Sequence, residues 1–191
     1  MDDRNTATSK KNDIMWIAVC AIFTALTCVF TMMIQIPTGP LGGMVHLGNV
    51  PFMIAAALWG KRTGAISGGV GMALSDLLTG WQIYAPITFI TVGLMGFAYA
   101  SIIDRKPTVL RLVLAYLSAT AIKVAGYYIG EVILYHNFAA PVVSIPGNVV
   151  QITVGALIAS PIIAILKTAC GNLIDKMQPA SHRKVASEAA R

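Results

Sequence analysis

The chain has 191 residues, of which 56% are hydrophobic and only 12% charged, about half the charged share of an average soluble domain. With a mean hydropathy of +0.71, that balance argues against a soluble domain and for a polytopic α-helical membrane protein with room for about five to seven spans of ~20 residues. The net charge of +6 does not indicate nucleic acid, because the basic residues are dispersed at the ends of apolar runs and are not interleaved with aromatics.

Residues 1–13 are polar and read as an N-terminal tail. The apolar run that follows continues from Ile14 to about Ile34, the ~20 residues that spanning requires, so it reads as a retained first span and not as a cleavable signal peptide. A turn-rich stretch from Pro37 to Gly43 precedes His46 and Asn49. The second apolar segment, Val50 to Gly60, is too short to cross a ~30 Å hydrocarbon core upright. Lys61 and Arg62 separate it from a glycine-rich helix over Thr63 to Leu78. Trp81 and Tyr84 mark a short connection, and the fourth helix runs from about Ile83 to Ile103. The polar turn Asp104 to Pro107 leads into a long fifth helix, Val109 to about Tyr135. His136 to Pro146 reads as a loop, and the sixth helix covers Gly147 to about Ile174. The expected fold is therefore all-α: a six-helix membrane domain over residues 14–175 and a polar C-terminal tail over 176–191.

Orientation follows from the basic residues. With six helices both termini share one side, and thirteen of the fourteen Lys and Arg residues fall on or near it. The loops of the opposite side carry none, which makes the termini cytoplasmic by the positive-inside rule. The exception is Lys123, deep in the fifth helix. Glu131 lies two turns further outward, and Asp76 lies near the outer end of the third helix. Ionisable groups inside spans are costly and face the protein interior or a water-filled cavity. Lys123, Tyr127 and Glu131, spaced by four, share one helix stripe.

The outer halves of helices three to six carry most of the specific polar chemistry. Trp81, Gln82 and Tyr84 lie on the outer connection and Thr88 on helix four. Tyr127, Tyr128 and Glu131 lie on helix five, and Asn148 and Gln151 open helix six after Pro146-Gly147. Aromatic faces, amides and a carboxylate together suit a small polar heteroaromatic ligand. Bland readings stand beside this one: Trp81 and Tyr84 serve equally well as interfacial anchors, Asn148 and Gln151 as bonds between helices, and Lys123 as a structural partner of Asp76 or of a carbonyl. His46 reads as a solvated residue or a loop contact. No cluster has metal-ligand spacing. Cys20, Cys28 and Cys170 sit in apolar runs and read as packing residues.

Small residues form a second pattern. Ala18, Ala21 and Ala25 give helix one a small face, as Gly64, Gly68 and Gly71 do for helix three and Gly126 and Gly130 for helix five. Such faces let helices approach closely. For helix one, internal packing and a partner surface are equally open. No phosphate-binding loop of the G-x-x-x-x-G-K-[ST] type, H-E-x-x-H or G-x-S-x-G motif is present, so neither ATP binding by that route nor an enzyme is expected, and no cofactor is implied. The residues alone also admit a self-sufficient channel or secondary transporter, in which Lys123 and Glu131 couple ions.

The order of short motifs narrows the choice. Gly42 to Pro51, Leu58 to Ala65, Gly71 to Trp81, Tyr84 to Phe89 and Gly93 to Gly96, followed by Lys123 to Glu131 and Ile145 to Gln151, resemble the substrate-binding S components of energy-coupling factor (ECF) transporters. The resemblance covers roughly residues 14–175 and lies nearest the riboflavin-transporter-like branch that includes hydroxymethylpyrimidine and pyridoxine S components. It implies a six-helix subunit of a bacterial cell membrane that binds a vitamin near the outer face, under closing loops. It also implies a transmembrane T component and two cytoplasmic ATPases as partners. Ala21 and Ala25 match the family's A-x-x-x-A motif for the T component, with Ala18 extending that face. The implied site, on helices four to six and the outer loops, coincides with Trp81, Tyr84, Thr88, Lys123, Tyr127, Glu131, Asn148 and Gln151. The implied substrate is hydroxymethylpyrimidine or a vitamin B6 form, with pantothenate and riboflavin behind. The chain departs from the branch at Val92-Gly93, where a lysine is expected, and this leaves the substrate open.

Overall fold

A computed structural model of the chain describes residues 2–33, 35–37, 44–104 and 106–177. Its six α-helices follow the chain order read from the sequence: α1 (Asp2–Met33), α2 (Asn49–Trp59), α3 (Lys61–Leu78), α4 (Ala85–Ile103), α5 (Val109–Tyr135) and α6 (Ser144–Lys176). A two-residue antiparallel ladder, β1 (Ile36–Pro37) with β2 (Met44–Val45), closes the connection between α1 and α2 and is the one departure from an all-helical fold among the described residues. Gly39, Gly42 and Gly43 lie outside the described residues, as do residues 178–191 of the tail.

Two helices begin earlier than their apolar runs. The helix α1 continues back to Asp2, and residues 2–13 contain neither Gly nor Pro to interrupt it. The helix α6 begins at Ser144, with Pro146 inside its first turn. The first four N–H groups of a helix have no internal partner, so a proline there removes no helical hydrogen bond. One consequence is that Asn148 does not stand at an exposed helix start. The start of α5 is capped: Thr108 is extended, and its hydroxyl accepts from the Arg111 N–H at 3.4 Å.

The helix α2 is the axis of the bundle. All eleven of its residues are buried, as expected of a helix that is apolar on every side. At 1.5 Å per residue it is about 16 Å long. Its neighbours α1, α3, α4 and α6 supply the wall that its length cannot. The turn from α2 into α3 is one residue, Gly60, whose φ of +91° is a region that L side chains rarely enter. The tightest helix pair is α3 with α4. A Cβ on Gly96 would land on the backbone carbonyl of Gly64, and one on Gly64 would meet Ala56, so glycine at both positions is what permits the backbones to touch.

The bundle's two ends differ. At one end Trp16 Nε1 donates to Thr63 Oγ1 at 2.9 Å and Arg111 Nη1 donates to the Ile103 carbonyl at 2.9 Å. Lys61 and Arg62 at the start of α3 and Lys106 before α5 share that end. The connections at the other end contain no Lys or Arg. Large apolar side chains such as Ile14, Leu78, Val109 and Leu157 cover the outside, a surface that suits lipid and not water. By length and composition four segments are able to cross a membrane: Lys10–Met33, Gln82–Ile103, Val109–Tyr135 and Ala140–Lys176.

Candidate functional site

The stripe on α5 organises the polar centre. Lys123 and Glu131 are 1% and 3% exposed, in a molecule whose exterior is greasy. The Lys123 ammonium donates to the Gln151 side-chain oxygen on α6 and stands 5.4 Å from the centroid of the Tyr127 ring, a cation–π distance. The Tyr127 hydroxyl bonds Thr88 Oγ1 on α4 at 2.9 Å, and Thr88 in turn bonds the carboxyl of Asp76 near the C-terminal end of α3. One turn further along α5, Glu131 bonds Ser144 at the start of α6.

The short central helix closes the network from the other side. Asn49, at the first position of α2 and fully buried, donates from Nδ2 to the Gln151 backbone carbonyl at 3.1 Å. That approach depends on Gly155, because a Cβ there would lie 2.6 Å from the Asn49 Cβ. Just before α2, His46 is 7% exposed, and its Nδ1 accepts from the Gly48 N–H at 3.2 Å. Burial, reinforced by the nearby Lys123 charge, holds the His46 pKa well below the ordinary 6.5. The ring is therefore neutral, and with Nδ1 accepting, its proton sits on Nε2.

Three buried atoms of this network have no hydrogen-bond partner: Asn49 Oδ1, Asp76 Oδ2 and Glu131 Oε2. Leaving a buried polar atom unmatched costs about 1–3 kcal/mol, more when it is charged. A native fold keeps such atoms where something else supplies the match.

The structure thus brings together four of the residues singled out from the sequence as two hydrogen-bonded pairs, Lys123 with Gln151 and Thr88 with Tyr127, linked by the Lys123–Tyr127 cation–π contact, with Glu131 further along the same stripe. Lys123 donates to the side-chain carbonyl oxygen of Gln151, with Asp76 near enough to act on it electrostatically, so its reading as a structural partner of Asp76 or of a carbonyl stands beside the site role. Asn148 is half-buried one turn before Gln151 on α6. Tyr84 is buried and its hydroxyl pairs with that of Tyr135, while Trp81 packs edge-on against Tyr84 with ring centroids 5.8 Å apart. These two lie on the connection between α3 and α4. Gln82 and Tyr128 are turned to backbone carbonyls, those of Leu77 at 3.3 Å and Phe138 at 2.9 Å. The sequence reading missed Asn49 and Ser144 as members and left Asp76 outside the site, while its reading of His46 as a loop contact fits the bond from the Gly48 N–H. Asp76 carried a usable signal as an acid inside an apolar helix. Asn49 becomes recognisable only once α2 is known to be buried on every side. Among the described residues no group of three or more His, Cys, Asp or Glu side chains is placed to hold a metal ion.

A second region lies on the flank of α1. Ala18, Ala21 and Ala25 are all exposed. Ala21 and Ala25 line an apolar groove of about 750 Å³ between α1 and α3, floored by Cys20, Cys28 and Ile66.

Comparisons with known proteins agree with this architecture. Residues 11–168 match the family model described as the ECF-type riboflavin transporter, S component. The thiamine precursor transporter HmpT of Lactococcus lactis subsp. cremoris (strain MG1363) is 31% identical over 151 residues, which cover 77% of this chain and 86% of HmpT. An uncharacterized protein of Pyrococcus woesei is 28% identical over 147 residues, 77% of this chain and 98% of that protein. Among solved structures, the S component of a bacterial ECF transporter superposes with a TM-score of 0.55 at 17% identity, covering 83% of this chain and 96% of the other. That family is one of membrane-embedded transporter components and not of enzymes, and the chain belongs to it, as an ECF-type S component.

Proposed function

We propose that this chain is the ligand-capturing subunit of an ECF-type importer in a bacterial cell membrane, and that its cargo is a small heterocyclic vitamin precursor. Hydroxymethylpyrimidine is the first candidate and a vitamin B6 form the second. The observation that carries this reading is the buried network of Asn49, Asp76, Thr88, Lys123, Tyr127, Glu131 and Gln151, with three acceptor atoms left unmatched. Polar groups at such cost inside an apolar bundle mark a ligand site. The kinship with a thiamine precursor transporter supports the choice of cargo.

In this reading the cargo enters from the face opposite the basic end, while the connection bearing His46 stands open. The aromatic rings of Tyr127, Tyr84 and Trp81 flank it. Glu131, Asp76, Asn49, Asn148 and Gln151 hydrogen-bond it, and Lys123 holds Gln151 in place. No bond is made or broken. The exposed Ala21/Ala25 face docks a transmembrane T component, and two cytoplasmic ATPases drive release on the basic side, where both termini lie.

The test is mass spectrometry of the small molecules that leave the purified, heat-denatured chain, followed by titration of the emptied chain with the molecule found. Stoichiometric hydroxymethylpyrimidine or pyridoxine is the expected result. A chain that carries no such molecule and binds neither on titration contradicts the proposal.

A further inference from the structure

The groove between α1 and α3 has two unlike ends. It runs from Trp16 and Ile17 to Met32 on α1 and Leu78 on α3, with a volume of about 750 Å³. Sixteen residues of α1 at 1.5 Å each make it about 24 Å long, most of a ~30 Å hydrocarbon core. The nitrogen and oxygen donors on its wall are already satisfied. Trp16 Nε1 donates to Thr63 Oγ1, and the Thr24 hydroxyl donates to the Cys20 carbonyl at 2.7 Å. The wall therefore offers a guest close apolar contact. Beyond Met32 and Leu78 the chain continues with Met33, Gln35, Thr79 and Gly80, none of them charged.

At the other end the two walls lead to cations. Lys10 lies seven residues before Ile17, and Arg62 four before Ile66, so each extends the groove-facing stripe of its helix. Both are exposed, with Lys11 beside Lys10, and the acid on the same stretch is Asp13. Lys61 belongs to the other side of α3, its ammonium 5.6 Å from the centroid of the Phe97 ring on α4. An apolar slot that opens between two cations complements an amphiphile with an anionic head. One leaflet supplies half of the hydrocarbon core, ~15 Å, or about ten residues of α1. A chain entering beside Trp16 therefore covers Ala21 and Ala25. A second copy of the subunit suits the groove less, because two copies with the same orientation set basic end against basic end.

We propose that the α1–α3 groove holds an acyl chain of an anionic phospholipid from the leaflet at the basic end, with its phosphate between Lys10 and Arg62. A zwitterionic head brings a cation of its own to the same place and binds less well. The alanines under that chain are also the proposed docking face for a T component, so lipid and T component exclude one another there. The lipid assignment stands on the groove and its charges and not on that docking role.

Trp16 is the reporter, since brominated acyl chains quench a tryptophan on contact. The full-length unaltered chain is reconstituted in phosphatidylcholine bilayers that contain a small fraction of brominated phosphatidylglycerol or of brominated phosphatidylcholine. W16F, treated alike, separates Trp16 from Trp59 and Trp81. The anionic lipid should quench Trp16 as if bound about fivefold or more tightly than the zwitterionic one, the gain expected of two basic residues beside one phosphate. Added salt should narrow the gap. In K10Q with R62Q the gap should fall to about twofold or less, with melting and cargo titration unchanged. Native mass spectrometry after extraction from a mixture of the two lipids is the second readout: the unaltered chain should retain phosphatidylglycerol selectively and the double variant should not. If W16F does not fold, this pair decides alone. Equal quenching by the two lipids, or equal retention of them, in the unaltered chain overturns the proposal. A preference that survives K10Q with R62Q overturns it too, since charge elsewhere then recruits the lipid. So does a Trp16 shielded from both lipids in a chain that sediments as a dimer, because a second copy then fills the groove.

Discussion

The centre of the bundle and the flank of α1 break the ordinary burial pattern in opposite directions. In the centre, a lysine, two acids and two amides are buried with three acceptor atoms unmatched. On the flank, alanines and cysteines line an apolar groove that no other helix among the described residues lines. In lipid the flank is cheap to leave open, because hydrocarbon solvates it and only a closely fitting helix improves on that. The centre is expensive whatever surrounds the molecule. The two regions should therefore respond to different perturbations: the centre through stability and ligand affinity, the flank through assembly alone.

The largest effect should come from Q151L, which leaves the Lys123 ammonium buried without its acceptor. Breaking one side of such a pair costs about 3–5 kcal/mol, read as a large fall in melting temperature in detergent. Replacing both partners, as K123L with Q151L, should restore most of that loss, since apolar pairs of similar volume substitute well for buried polar ones. G155V should follow at about 1–3 kcal/mol, because its side chain collides with Asn49 and forces α2 away from α6. Next comes a pH effect at His46. Its folded pKa lies below the ordinary 6.5, so its contribution is complete above that pH. As pH falls below 6.5 the unfolded state gains a proton that the folded state refuses, and stability drops by up to about 1.4 kcal/mol per unit. H46Q should flatten the melting temperature between pH 6.5 and 5. The smallest effect on the isolated chain belongs to the flank. A21L with A25L should leave melting and ligand titration unchanged and abolish co-purification with a T component. A complex that survives would remove the flank from the account.

The sequence shows the fold more fully than the site. The limits of α5 and the C-terminal end of α4 are read correctly because a proline turn, a cap and a polar break coincide between them. The early start of α6 is hidden because Pro146 looks like a boundary, although a first helical turn tolerates proline. The extension of α1 is hidden because apolar periodicity is silent in a polar segment. Within the site, Lys123, Tyr127 and Glu131 announce themselves by their spacing on one apolar helix. Asn49 and His46 do not, since an amide and an imidazole beside a glycine-rich turn read as loop chemistry. What changes their meaning is the packing of α2 against α6 at Gly155, a contact between residues about a hundred positions apart. Ser144 was assigned to a loop, and its bond to Glu131 appears only when α6 starts a turn earlier.

The central claim is that the buried polar groups are retained to hold a guest and not to hold the fold. It is tested most directly by titrating the K123L, Q151L double variant with the ligand that co-purifies with the unaltered chain, after its melting temperature has been matched to that chain. The account predicts a folded protein whose affinity has fallen about tenfold or more. A folded double variant that binds with undiminished affinity would contradict it.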